Sequence, residues 1–270
     1  DNEIGLLAGR DPEYLHQARV ALRRLRSAFR VFDAAMPGLR SARILDELKP
    51  VGRLLGEARD LDVFALETLP RAGSAQQAGV AALRRRAQNA RRRATAAVRA
   101  AIAAPEYPAM MLRLVQAISA GQRRSETARP AAADVTLLKF ATKLLSHRYA
   151  RAQKCGRRMS QFGLADFHRL RIRVKHLRYA IEFFLPLVEH KAQRTLRALI
   201  ELQELLGRLN DDATARRLLE RLSSADSSTD HQQSLGFLRG WCACDGQLCR
   251  NQLEDAWKRF EELQPWWKSP

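Results

Sequence analysis

Residues 16–32 read HQARVALRRLRSAFRVF, and residues 168–184 read HRLRIRVKHLRYAIEFF. His16 aligns with His168, Arg19 with Arg171, Arg23 with Lys175 and Arg26 with Arg178. The apolar Val20, Leu25 and Phe32 align with Ile172, Leu177 and Phe184. A second pair follows in the same order at nearly the same offset, LLGEARDLDV at 54–63 and LLGRLNDDAT at 205–214. Two motifs recurring in register are the signature of a repeated structural unit. The chain therefore reads as a duplication, each half a helical bundle.

Helical periodicity runs through nearly all of it, and no convincing apolar/polar alternation of a strand appears. Alanine, leucine and arginine dominate, and all three favour helices. The expected class is all-α. Asp11-Pro12 reads as a cap followed by proline at the first helical position, opening a helix to about Met36, before Pro37-Gly38. Further helices are expected at about 41–57, from the GEARD turn to near Pro70, at about 75–103, and from Pro105 to about 122. Others should cover about 135–158, 165–187, 190–206, 210–223 and 231–263. The polar stretch 122–134, QRRSETARPAAAD, reads as a linker. The organisation expected is a first bundle at 1–122, a linker at 123–134 and a second bundle at 135–265. The helix at 135–158 leads into the second basic helix. Its counterpart before the first is reduced to DNEIGLLAG, so a leading helix is expected to be missing there.

At about 100° per residue, His16, Arg19, Arg23, Arg26 and Arg30 fall within an arc of roughly 80°. Leu15, Ala18, Leu22, Leu25, Phe29 and Phe32 occupy the neighbouring arc and should face a core. The second helix repeats the plan. His168, Arg171, Lys175 and Arg178 form the row, and Leu170, Val174, Leu177, Ile181 and Phe184 form the core stripe. Like charges one turn apart destabilise a helix by some tenths of a kcal/mol each. A row that carries this cost twice, with matching spacing, points to an anionic ligand rather than to solvated surface. Glu182 stands where Arg30 stands and should close off that end of the second row.

The whole chain leans the same way. Its formal net charge is +18, and 39 of its 47 basic residues are arginine. An excess of this size attracts polyanions, and the guanidinium fork grips phosphate through two parallel hydrogen bonds. Hydrophobic residues make up 46% of the chain, enough for a folded core rather than a disordered polycation. No apolar run approaches the length of a membrane span, so a membrane is not an expected partner.

Other candidates read as structural. No H-x-x-x-H or H-E-x-x-H spacing surrounds His16 or His168, and no metal or other cofactor is expected. Asp60 and Asp62, and Asp211 and Asp212, recur after Leu-Leu-Gly. They are expected to cap the following helix and to pair with arginines of the rows. Arg84–Arg86 and Arg91–Arg93 have no counterpart in the repeat and read as a solvated basic face. Cys155, Cys242, Cys244 and Cys249 show no disulfide framework and read as thiols on helices in a reducing, cytoplasmic setting.

These motifs resemble the CHAD family, the conserved histidine α-helical domain. The resemblance rests on HQARVALRRLR with LGEARDLDV and on HRLRIRVKHLRY with LLGRLNDDA, and it covers about residues 8–265. It implies two four-helix bundles related by a pseudo-two-fold axis, with a basic groove or pore between them that binds inorganic polyphosphate. It implies contacts from His16, Arg19, Arg23 and Arg26 in one half and from His168, Arg171, Lys175 and Arg178 in the other. Arg30 extends the first row. The chain departs from the pattern at Asn210, which replaces the arginine at the position of Arg59. Members are found on polyphosphate granules or joined to triphosphate tunnel enzymes. Neither the E-x-E-x-K signature of those enzymes nor a P-loop occurs, so the expected role is binding without catalysis. Nucleic acid is the competing polyanion, bound non-specifically. Single-strand binders interleave aromatics among the cations, but Phe29, Phe32 and Phe184 lie on the core side and only Tyr179 stands beside a row.

Overall fold

The computed structural model describes residues 2–9, 11–33, 41–73, 78–127, 137–187, 192–223 and 229–268. Among these residues the chain is all-α, with no strand. The helices are α1 (Asn2–Ala8), α2 (Pro12–Phe32), α3 (Ser41–Glu47), α4 (Lys49–Val63), α5 (Leu69–Arg71), α6 (Ala78–Ala103) and α7 (Glu106–Thr127). They continue with α8 (Leu137–Gly156), α9 (Leu164–Phe184), α10 (Gln193–Ser223) and α11 (Thr229–Glu262). A single π-helical stretch, Phe64–Thr68, joins α4 to α5.

The chain separates into two compact units. One holds Asp1–Ala133 with Leu218–Gly236, and the other Asp134–Arg217 with Phe237–Pro270. The last turns of α10 and the first turns of α11 therefore belong with the first unit, whereas the sequence division places them in the second half.

In the first unit the cap is as read from sequence: Asp11 Oδ1 accepts from the Glu13 amide at 2.8 Å, with Pro12 opening α2. The residues before it are not empty chain. They form the short helix α1, ended by Gly9 at φ 73°, a left-handed conformation that favours glycine. Arg99 of α6 donates to the Gly9 carbonyl at 3.0 Å. Leu6, Leu15, Leu55, Ala58, Val98 and Ile102 bring α1, α2, α4 and α6 into one core cluster. A second cluster joins Phe29, Ile44, Leu48, Met110 and Leu114. Of the stripe expected on α2, Leu15 and Phe29 are buried while Ala18, Leu22, Leu25 and Phe32 are half-buried. Ser27 and Val31 are buried too.

In the second unit, Leu170, Val174, Leu177, Ile181 and Phe184 of α9 are all buried. Helix α8 packs along α9. Tyr149 stacks edge-on against Trp267, with centroids 5.8 Å apart, and lies 5.5 Å from Phe260. Tyr179 is buried, so the one aromatic placed beside the row by its sequence position belongs to the core.

Three boundaries differ from expectation, two of them at a helical glycine. GEARD is not a turn but the interior of α4, and LLGRLN does not interrupt α10, which runs unbroken from Gln193 to Ser223. The expected linker is helical up to Thr127, and 128–136 lie outside the described residues. A helical glycine costs only about 1 kcal/mol relative to alanine, so a glycine inside a long periodic segment need not end the helix.

Candidate functional site

The first row lies along one face of α2 beside α4. Two glycines of α4, one turn apart, face it. A Cβ at Gly52 would sit 3.4 Å from Arg26 Nη1, and a Cβ at Gly56 would sit 2.7 Å from Arg19 Nη1. The absence of side chains at these positions lets the guanidiniums lie against α4. Arg19 Nη2 stands 3.9 Å from Asp60 Oδ1, an ion pair at the edge of contact. Nε of Arg23 and Nε of Arg26 are buried without a hydrogen-bond partner.

The electrostatics match this crowding. His16 is held below its ordinary pKa, first by burial and then by Arg59, with Arg23 and Arg19 adding to the effect against the opposing pull of Glu13. Arg30 is held below its usual range by burial and then by Arg26. His16 thus feels Arg23 and Arg19, and Arg30 feels Arg26, along the face that the five residues are expected to share. Arg59 joins them from α4 and is itself tied to Glu67 Oε1 at 3.0 Å. Sequence reasoning left it out of the site. Its place in the repeat, where Asn210 stands opposite His168, was the available signal.

The second row is on α9. His168 is exposed at its head, with Nδ1 3.4 Å from Asn210 Oδ1 of α10. Arg171 and Lys175 are half-buried. Arg178 Nε donates to Glu182 Oε1 at 2.7 Å, so Glu182 does occupy the end of the row. Gly207, the counterpart of Gly56, has open space around it, and no guanidinium rests on it. The two rows share a pattern but differ in detail. In the first, Arg59 adds its charge beside His16, while the second has an amide in place of Arg59 and carries the Arg178–Glu182 pair at its end.

The aspartates are not caps. Asp60 and Asp62 lie inside α4, and Asp211 and Asp212 lie inside α10. Asp60 does pair with a row arginine. Asp62 is 1% exposed and takes Arg91 Nε of α6 at 2.5 Å. The basic run of α6 is likewise only partly solvated. Arg85, Arg92 and Arg93 are exposed, but Arg84 donates to the carbonyls of Leu69 and Gly73 at 3.4 and 3.2 Å, and Arg86 to that of Leu222 at 3.3 Å. These arginines close helix ends rather than offer charge. No group of three or more metal-ligating side chains occurs among the described residues. Cys242 and Cys249 are buried thiols, and burial, with Asp212 next in effect, pushes Cys242 up to about 11. No helix among the described residues is long and apolar enough to cross a membrane.

Known proteins share both fold and sequence with this chain. A crystal structure of the CHAD domain from the plant Ricinus communis superposes with a TM-score of 0.82 at 32% identity, covering 98% of this chain and 86% of that one. PptA from Streptomyces chartreusis shares the fold, with a TM-score of 0.71 at 17% identity over 92% of this chain and 90% of that one. Two uncharacterized proteins of Mycobacterium tuberculosis are each 27% identical over 92% of this chain. The chain spans 48% of the length of each. The sequence profile of the CHAD domain matches residues 1–220. The chain belongs to the CHAD-domain family.

Proposed function

We propose that this chain is a non-catalytic binding module for inorganic polyphosphate, gripped by the rows on α2 and α9. The observation that carries the reading is the row on α2. Five basic side chains share one face, two of their Nε atoms are buried without partners, and His16 is held towards its neutral form by Arg59, Arg23 and Arg19. Leaving buried donors unmatched costs free energy, and a bound phosphate chain would supply both acceptors and charge. Polyphosphate is a flexible string of anionic tetrahedra without bases. Its recognition needs dense cations at regular spacing on rigid elements, and residues one helical turn apart are spaced by about 5.4 Å. Tyr179 is buried, so it offers the second row no face on which a base could stack. Association with polyphosphate granules follows from the same affinity.

Arg19→Glu combined with Arg171→Glu tests the reading. Polyphosphate affinity should fall by at least about a hundredfold, as two phosphate contacts turn into repulsions. An unchanged affinity would remove the rows from the site.

A further inference from the structure

At the head of the second row lies a cavity of about 260 Å³ whose chemistry differs from that of the row. Phe167, Leu206 and Leu209 line it, and all three are buried and apolar. The Phe167 ring is fixed by the Arg250 guanidinium 5.3 Å over its centroid. Asn210, Thr214 and Arg217 also line the cavity, with Arg217 donating to Thr214 Oγ1 at 3.2 Å. His168 lines the side that continues into the row. The buried, apolar part of the lining gives a phosphate nothing to bond, while His168 and Arg217 are exposed. The cavity suits a flat organic group with apolar faces and a polar edge.

We propose that this cavity takes the base end of a nucleoside oligophosphate, with the phosphate tail laid past His168 along Arg171 and Lys175. These two residues follow His168 by about 4.5 and 10.5 Å along the helix axis, within the span of a short phosphate chain leaving the cavity. The Asn210 amide can serve a base edge as donor and acceptor by giving up its long contacts with His168 and Asp211, each 3.4 Å. Asn210 is also the residue that replaces the arginine of the first half, and an amide reads a ring edge where a guanidinium would only add charge.

The first unit shows why the assignment is confined to the second. There a cavity of about 350 Å³ is lined by Pro12, Leu15 and Asp62, the counterparts of Leu164, Phe167 and Ala213. It carries the Asp62 carboxylate, already held by Arg91, where the second unit has a methyl group. Arg91, Arg92 and Arg99 line it as well, so this cavity offers charge to a phosphate rather than an apolar seat to a ring.

The inference rests on the polyphosphate reading, because the tail uses the same row. The test is calorimetric titration with ATP, inorganic tripolyphosphate and long-chain polyphosphate, without magnesium, at about 0.15 M salt. ATP is expected to bind at least about tenfold tighter than tripolyphosphate, the order of gain from burying a ring in an apolar site. Ala213→Phe, which fills the cavity, should bring ATP down to the level of tripolyphosphate and leave tripolyphosphate unchanged. Leu164→Ser, at a half-exposed position at the start of α9, should lower ATP affinity alone without risk to the fold. If ATP binds no tighter than tripolyphosphate, or if both substitutions weaken the two ligands equally, the cavity is not a base site. In either case binding of long-chain polyphosphate would leave the wider reading standing. If neither inorganic ligand binds, the wider reading falls, and this inference with it.

Discussion

Arg178 Nε donates to Glu182 Oε1 at 2.7 Å, one turn along α9. The contact occupies a cation that the row would otherwise present. In the first half the position of Glu182 is held by Arg30, whose guanidinium feels Arg26. Glu182→Gln keeps the shape and removes the charge. It is expected to raise polyphosphate affinity about two- to fivefold at low salt and to steepen the plot of log K against log salt by about 0.7, one further phosphate contact. Titrations at four salt concentrations measure both.

Gly56 and Gly207 make a matched pair with opposite expectations. A Cβ at Gly56 meets Arg19 Nη1 at 2.7 Å, while one at Gly207 meets nothing within 4 Å. Either change to alanine favours the helix by up to about 1 kcal/mol. Gly56→Ala should shift the Arg19 guanidinium, the mobile end of a long side chain, and lower polyphosphate affinity while the fold holds. Gly207→Ala should raise the melting temperature and leave affinity alone. Thermal unfolding and binding on the two variants separate the effects.

His16 is expected to make binding sensitive to pH. Its folded pKa lies below the unfolded value near 6.5. The unfolded chain therefore binds the proton first, and stability without ligand falls as pH drops below about 6.5. A phosphate beside the ring reverses the preference, so binding takes up a proton and affinity grows as pH falls through the same window. His16→Gln should flatten both trends. Calorimetry in buffers of different ionisation enthalpy reads the proton uptake directly.

Asp62→Asn tests the structural reading of the aspartates. The carboxylate is 1% exposed and holds Arg91. Removing one partner of such a pair costs about 3 kcal/mol. Because neither residue belongs to the row, polyphosphate affinity of the folded variant should stay within about twofold. A stability loss below about 1 kcal/mol would contradict the role given to the pair.

The periodicity of apolar and basic residues makes most of the helices, the Asp11 cap and both patterns of basic residues legible. Leu170 through Phe184 and Asp11-Pro12 behave as their patterns state because each depends on neighbours within a turn or two. The misreadings have a common physical source. Gly56 and Gly207 look like turn signals, yet at Gly56 the bare backbone serves Arg19, a contact between helices that no local pattern encodes. Asp62 looks like a cap because its partner, Arg91, is distant in sequence. Arg84 and Arg86 look solvated for the same reason, since the carbonyls they cover belong to other segments. Arg59 was overlooked because its charge acts on His16 from a second helix.

On the proposed reading, the rows serve a phosphate polymer rather than a nucleic acid. Competition between long-chain polyphosphate, tRNA and duplex DNA for the protein at about 0.15 M salt addresses it most directly. The account predicts that polyphosphate displaces both nucleic acids at lower phosphate concentration. Nucleic acid binding as tightly as polyphosphate, or more tightly, would contradict it.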